Sequence, residues 1–294
     1  MKALLTDRTM WALALAITLI VGIAVLRYRD TDGLPDTAFW AQKALLPAGR
    51  YTLVIAGDSR VNRGISPRVI NAALRVRAIN FGWSANAFTP RYLSAVRRLL
   101  PAAGPRTVIL GITPHAFTPN AINNNAFDAL AGYTENELRA RIATARYDRC
   151  FASFVTMTKP VSSAYTQYEM INSGDGFTAC RVSPCVPGMA VLDYNGYFAK
   201  GKVQSSAVSE LLETVRQWTA DGITVYAVRP PVSRELRAVE DSGSGFNEAS
   251  FRRAFATAGG QWLDIPGSYT TYDGSHLIEQ SALRYSRVVA AAIR

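Results

Sequence analysis

The chain has 294 residues, 49% hydrophobic and 18% charged, which excludes a disordered polymer and leaves room for one large domain or two small ones. The net charge is +10. Its Arg residues are spread along the chain, with no basic arm, zinc-finger spacing or aromatic RNA-binding motif. That argues against a nucleic-acid partner and leaves an anionic membrane surface or an anionic polymer.

The first predicted element is the uncharged run Met10 to Leu26, "MWALALAITLIVGIAVL", flanked by Lys2 and Arg8 before it and Arg27 and Arg29 after it. As a helix it reaches roughly 25 Å, a short span that flanking Arg side chains extend by snorkelling. It is long for a signal-peptide core, and no small-x-small cleavage site precedes Arg27, so the expectation is an uncleaved membrane anchor. Residues 1–29 are then a cytoplasmic tip and transmembrane helix, and 30–50 a juxtamembrane linker with a short helical piece at "DTAFWAQKALL". The flanking charges nearly tie and do not fix the orientation.

From residue 51 short apolar runs alternate with amphipathic segments. "YTLVIAG", "VRAINFG", "RTVILGI", "ITVYAVRPP" and "QWLDI" read as strands. "SPRVINAALR" and "TPRYLSAVRRLL" read as helices opened by Ser66 and Thr89, each with proline in the first turn. "VSELLETVRQWTADG", "FNEASFRRAFATAGG" and "HLIEQSALRYSRVVAAAI" are further helices. This alternation predicts one α/β domain over 51–294, a parallel sheet with helices on both faces. An interval at about 114–202 breaks the rhythm and reads as an insertion, partly helical near "TENELRARIATARY". Within it Cys180 and Cys185 bracket "CRVSPC". A disulfide there would contribute about 2 kcal/mol, and without nearby ligands a metal is not favoured. Such a bridge places the domain in a periplasmic or extracellular compartment.

Ligands of an open parallel sheet bind beyond the carboxyl ends of its strands. "GDS" ends the first strand and puts Ser59 there, "NFG" ends the second at Gly82, and "DGSH" offers Asp273 and His276 before the last helix. A serine hydroxyl needs a base, and neutral imidazole is the suitable one near pH 7. The chain has two histidines, His115 and His276. His276 follows Asp273 by three residues, a spacing that lets the carboxylate hold the imidazole tautomer. His115, in "TPHAF", reads as a surface or pocket-lining residue. Arg60 is open between an anionic-substrate contact and a structural ion pair. Tyr165, Tyr168, Tyr194 and Tyr197 are open between stacking on sugars and packing the insertion.

In these blocks the sequence resembles the SGNH (GDSL-type) hydrolase superfamily, through "GDS", Gly82 and the Asp-x-x-His of Asp273 and His276. The resemblance implies a flavodoxin-like three-layer sandwich and ester hydrolysis or acyl transfer through an acyl-serine, without cofactor or metal. Ser59, His276 and Asp273 would be catalytic, and the Ser59 and Gly82 backbones would form the oxyanion hole. The Asn that the family uses as third donor is missing from "LGITPH", with Thr113 or Asn86 as its candidate replacements. The anchor and the missing Asn look like the membrane-anchored branch, associated with O-acetylation of exopolysaccharides. The expected substrate is therefore a glycan or acyl ester, and the expected partner a multispanning membrane-bound O-acyltransferase. An O-acetyl esterase or a non-catalytic glycan-binding scaffold are the alternatives.

Overall fold

The central strands form where three or four apolar residues run together, and the helices between them carry one apolar face each. The computed structural model describes residues 8–19, 22, 34–155, 167–183 and 188–293. Helix α1 covers residues 8–19. Next come α2 (Asp36–Ala44), β1 (Leu53–Ala56), α3 (Ser59–Gly64), α4 (Pro67–Leu74), β2 (Ala78–Asn80), α5 (Pro90–Leu99) and β3 (Thr107–Gly111). After a 3-10 turn at Pro114–Phe117 come α6 (Pro119–Asn123), α7 (Ala126–Leu130), α8 (Glu135–Val155), β4 (Gln167–Asn172), β5 (Thr178–Ser183) and α9 (Met189–Lys200). The chain closes with α10 (Ser205–Ala220), β6 (Thr224–Val228), α11 (Arg234–Gly243), α12 (Glu248–Thr257), β7 (Gln261–Trp262) and α13 (Glu279–Ala292).

Five strands make one sheet in the order β2-β1-β3-β6-β7, every neighbouring pair parallel. Alternation along the strands divides the core in two. Val54, Ala56, Val108, Leu110, Val225 and Ala227 face one side, against apolar residues of α5, α10 and α12 such as Tyr92, Val215 and Phe255. Leu53, Ile55, Ile109 and Val228 face the other, against Val61, Ile70, Tyr285 and Val289 of α3, α4 and α13. Each large side chain so buried stabilises the fold by about 1.5–3 kcal/mol over its exposed state. The strand order reverses direction between β1 and β3, and a ligand crevice is expected beyond their carboxyl ends.

Two expectations change. Residues 36–44, read as a helical piece of a linker, are docked on the domain through Ala38, Phe39 and Ala41 and a buried Lys43. The interval at 114–202 is richer in structure than the sequence reading held, with helices α6 to α9 and an antiparallel β4–β5 hairpin. On α1, Met10, Trp11, Leu13, Leu15, Ile17 and Leu19 are exposed. Among the described residues no helix is long and apolar enough to cross a membrane. Of the predicted anchor beyond residue 19, only Gly22 is described.

Candidate active site

The end of β1 turns sharply into α3. Gly57 sits at φ +154°, and a Cβ there would lie 2.5 Å from Val61 Cγ2 and 3.0 Å from the Gly111 carbonyl, so only glycine fits. Asp58 is buried and caps α3, its Oδ1 accepting from the Arg60 N–H at 2.9 Å. Ser59 follows as the first residue of the helix. At the other end of the chain, the loop before α13 is folded around Asp273. Its Oδ1 accepts from the backbone N–H groups of Ser275 and His276, both at 2.8 Å. Its Oδ2 lies 2.6 Å from His276 Nδ1, and His276 Nε2 lies 2.8 Å from Ser59 Oγ. Ser59, His276 and Asp273 thus stand in one hydrogen-bonded line, 217 residues apart in sequence between serine and histidine. They open onto a cleft of about 210 Å³ whose walls include Ser84, Ala85, His115 and Tyr194.

The other candidate residues are placed differently. The Gly82 N–H donates to Asn80 Oδ1 at 2.8 Å, and its carbonyl accepts from Lys43 Nζ at 2.5 Å. A Cβ at Gly82 would come 2.5 Å from the Asn62 backbone nitrogen. Gly82 therefore serves close packing of its loop on α3, not an oxyanion, and that expectation is corrected. Thr113 Oγ1 donates to Asp58 Oδ2 at 2.7 Å and Asn86 Nδ2 to the Gly57 carbonyl at 3.2 Å. Both side chains are buried, and these bonds commit them to the turn between β1 and α3.

Arg60 is no substrate contact. Its Nη1 is 2.6 Å from Glu240 Oε1, its Nε donates to Ser275 Oγ at 2.9 Å, and its side chain is 1% exposed. Tyr194 and Tyr197 line the cleft. Tyr165, the Tyr168 side chain and Cys185 lie outside the described residues, so the Cys180–Cys185 bridge falls partly outside them. Among the described residues no three His, Cys, Asp or Glu side chains gather as a metal site.

Sequence reasoning missed Ala85. It adopts φ +46°, a left-handed conformation that costs an alanine about 1–2 kcal/mol, at the wall of the cleft. Among the described residues no acceptor takes the Ala85 or the Ser59 backbone N–H. The structural role of Asp58, which ties the elbow to Thr113, was also unread.

No family model and no curated protein matches the chain. Among solved structures, a Streptococcus pneumoniae protein provisionally described as a platelet activating factor aligns over 96% of this chain and 99% of its own. That pair shares 10% identity at a TM-score of 0.41. A Bacteroides fragilis protein provisionally described as an acylhydrolase aligns over 86% of this chain and 90% of its own, at 15% identity and a TM-score of 0.36. Likenesses this weak carry no weight for function, which has to be read from the residues.

Burial disfavours the charged His276 ring, and the Arg63 charge disfavours it further. The Asp273 carboxylate pulls the other way, and the balance leaves His276 below its ordinary 6.5. Burial works to raise Asp273, but the hydrogen bond and charge of His276 and the two backbone donors outweigh it and hold the carboxyl at about 2. Imidazole is therefore neutral and carboxylate ionised at neutral pH. Any reaction that needs the neutral His276 ring as a base is expected to slow as pH drops, with the midpoint of that limb below 6.5, in a pH profile of kcat/KM. A midpoint above 6.5 would contradict this electrostatic balance.

Proposed function

We propose that this chain is a membrane-anchored serine acyl-transfer enzyme acting on O-acyl groups, acetyl foremost, of a cell-envelope polysaccharide. The observation that carries this reading is the line Ser59–His276–Asp273, at 2.8 and 2.6 Å, opening onto a cleft. In it His276 Nε2 takes the Ser59 proton as Oγ attacks the acyl carbonyl, and Asp273 holds the imidazole tautomer and stabilises the imidazolium. The Ser59 and Ala85 N–H groups receive the developing oxyanion. His276 then protonates the departing alcohol, leaving an ester on Ser59. In the second half a sugar hydroxyl, or water in an esterase, gives its proton to His276 and takes the acyl group. A cleft of about 210 Å³ suits a short acyl chain.

The exposed apolar side chains of α1 support a membrane anchor, and in our reading the domain lies on the outer side of the cytoplasmic membrane. A multispanning membrane-bound O-acyltransferase would deliver the acyl group there. The commitment of Thr113 and Asn86 elsewhere favours a second reading, a tethered glycan-binding scaffold without catalysis.

A fluorophosphonate probe decides between the two. Labelling of the full chain at Ser59, located by mass spectrometry and absent in Ser59→Ala, supports the enzyme; an unlabelled Ser59 supports the scaffold. Cellular glycan acetylation with and without the gene then gives the direction: its loss marks a transferase, its gain an esterase.

A further inference from the structure

The cleft that holds Ser59 and His276 holds a second imidazole that the acyl chemistry does not use. His115 is 5% exposed, on the 3-10 turn after β3. Its Nε2 lies 3.2 Å from Asn120 Oδ1, which only accepts, so Nε2 carries the proton and Nδ1 keeps a lone pair. Burial lowers the pKa of the ring, so it stays neutral near pH 7. Tyr194 and Tyr197 stand against it at centroid distances of 5.5 and 4.8 Å and hold its orientation. One turn of α9 adds Asp193 and Tyr197 to the same wall.

Among the described residues, nothing bonds to His115 Nδ1, to the Asp193 carboxylate or to the Tyr197 hydroxyl. Two of these three groups only accept. An acyl ester has no donor to offer them, whereas a sugar has several hydroxyls. An aromatic face beside such acceptors suits a pyranose ring, with its apolar C–H face and polar rim. The carboxylates on this wall are Asp58, Asp193 and Asp273, and no Lys or Arg lines it. A carboxylate-bearing acceptor would meet like charge there.

We propose that His115, Asp193 and Tyr197 form the acceptor subsite of the acyl-transfer reaction, shaped for a neutral, hydroxyl-rich sugar ring rather than a uronate. This rests on the acyl-transfer reading above. His115 Nδ1 and the Asp193 carboxylate each accept from a sugar hydroxyl, which turns a neighbouring hydroxyl toward the acyl carbon. That hydroxyl oxygen bonds to the acyl carbon while its proton passes to His276 Nε2. The bond from the acyl carbon to Ser59 Oγ breaks, and the proton returns to Oγ.

The test separates binding from turnover. In the full chain carrying Ser59→Ala, kept in detergent, methyl glucoside binding is followed by NMR titration against methyl glucuronide. The neutral sugar is expected to bind about fivefold or more tightly, and adding His115→Phe, which keeps the ring packing, to weaken it about tenfold. Asp193→Asn, at an exposed position with no folding burden, is expected to narrow the gap between the two sugars. In the active chain with p-nitrophenyl acetate as donor, His115→Phe should lower the ratio of acetylated sugar to free acetate about tenfold. Equal binding of glucoside and glucuronide, or unchanged binding and product ratio in a His115→Phe chain of normal melting temperature, would overturn the subsite. If the sugar binds as expected but no acetyl-enzyme forms, the acyl-transfer reading falls and the sugar site stands.

Discussion

Ser59→Ala should lower acetyl-ester cleavage by about 10³-fold or more while leaving the melting temperature nearly unchanged. The rate effect follows from what the side chain does: Ser59 Oγ is the atom that His276 Nε2 meets, at 2.8 Å. Without it water must attack unaided, and only the proposed oxyanion donors, the Ser59 and Ala85 N–H groups, remain. The stability effect is small because the hydroxyl bonds to His276 and to nothing that holds α3, whose cap is Asp58. His276→Ala should cost as much, and the double variant Ser59→Ala/His276→Ala little more than either, since the pair acts as one unit. Chromogenic acetyl-ester kinetics beside thermal melts checks both. A Ser59→Ala chain keeping more than a tenth of the rate would place the nucleophile elsewhere.

The elements that build the sheet were legible because the signals were local. Thr89 before Pro90 marked the start of α5, and its hydroxyl does accept from the Tyr92 N–H at 3.2 Å. The "GDS" block marked the end of β1, and "DGSH" the loop that leads into α13, on the side where a parallel sheet gathers its ligands. What stayed hidden depends on partners distant in sequence. Thr113 lies where a donor was wanted, yet its hydroxyl serves Asp58, 55 residues earlier. Gly82 drew attention because glycine tolerates close approach, and it does approach α3 closely. The left-handed residue at the cleft comes three positions later, at an alanine, where composition gives no warning. The β4–β5 hairpin did carry a local sign, the "DG" of Asp175 and Gly176, with Gly176 at φ +81°.

Arg60 is the residue whose role sequence left most open, and its environment leads to the largest stability effect. Glu240→Ala is expected to destabilise the fold by about 3–5 kcal/mol, roughly 10 °C or more in melting temperature. Glu240 is fully buried in α11, 2.6 Å from Arg60 on one side and 2.8 Å from Arg229 on the other. Burial works to raise its carboxyl, but the two guanidinium charges more than offset this and hold it below its ordinary 4.5. Removing it strands the buried Arg60 cation, while Arg229 keeps Glu248 and Asp241, and the stranded charge costs more than the lost attraction itself. Because the folded-state pKa is depressed, the contribution is complete above the unfolded value of 4.5 and disappears as pH falls through the folded one. The gap between wild type and Glu240→Ala, read by urea melts, should therefore be widest near neutral pH and narrow only in acid. Activity should suffer too, because Arg60 Nε holds Ser275 Oγ and the Ser275 N–H holds Asp273. Glu240→Gln, which keeps an acceptor without the charge, should fall between the two in both measurements. Equal melting of wild type and Glu240→Ala at neutral pH would mean that solvent reaches this network and that Arg60 does not brace the Asp273–His276 loop.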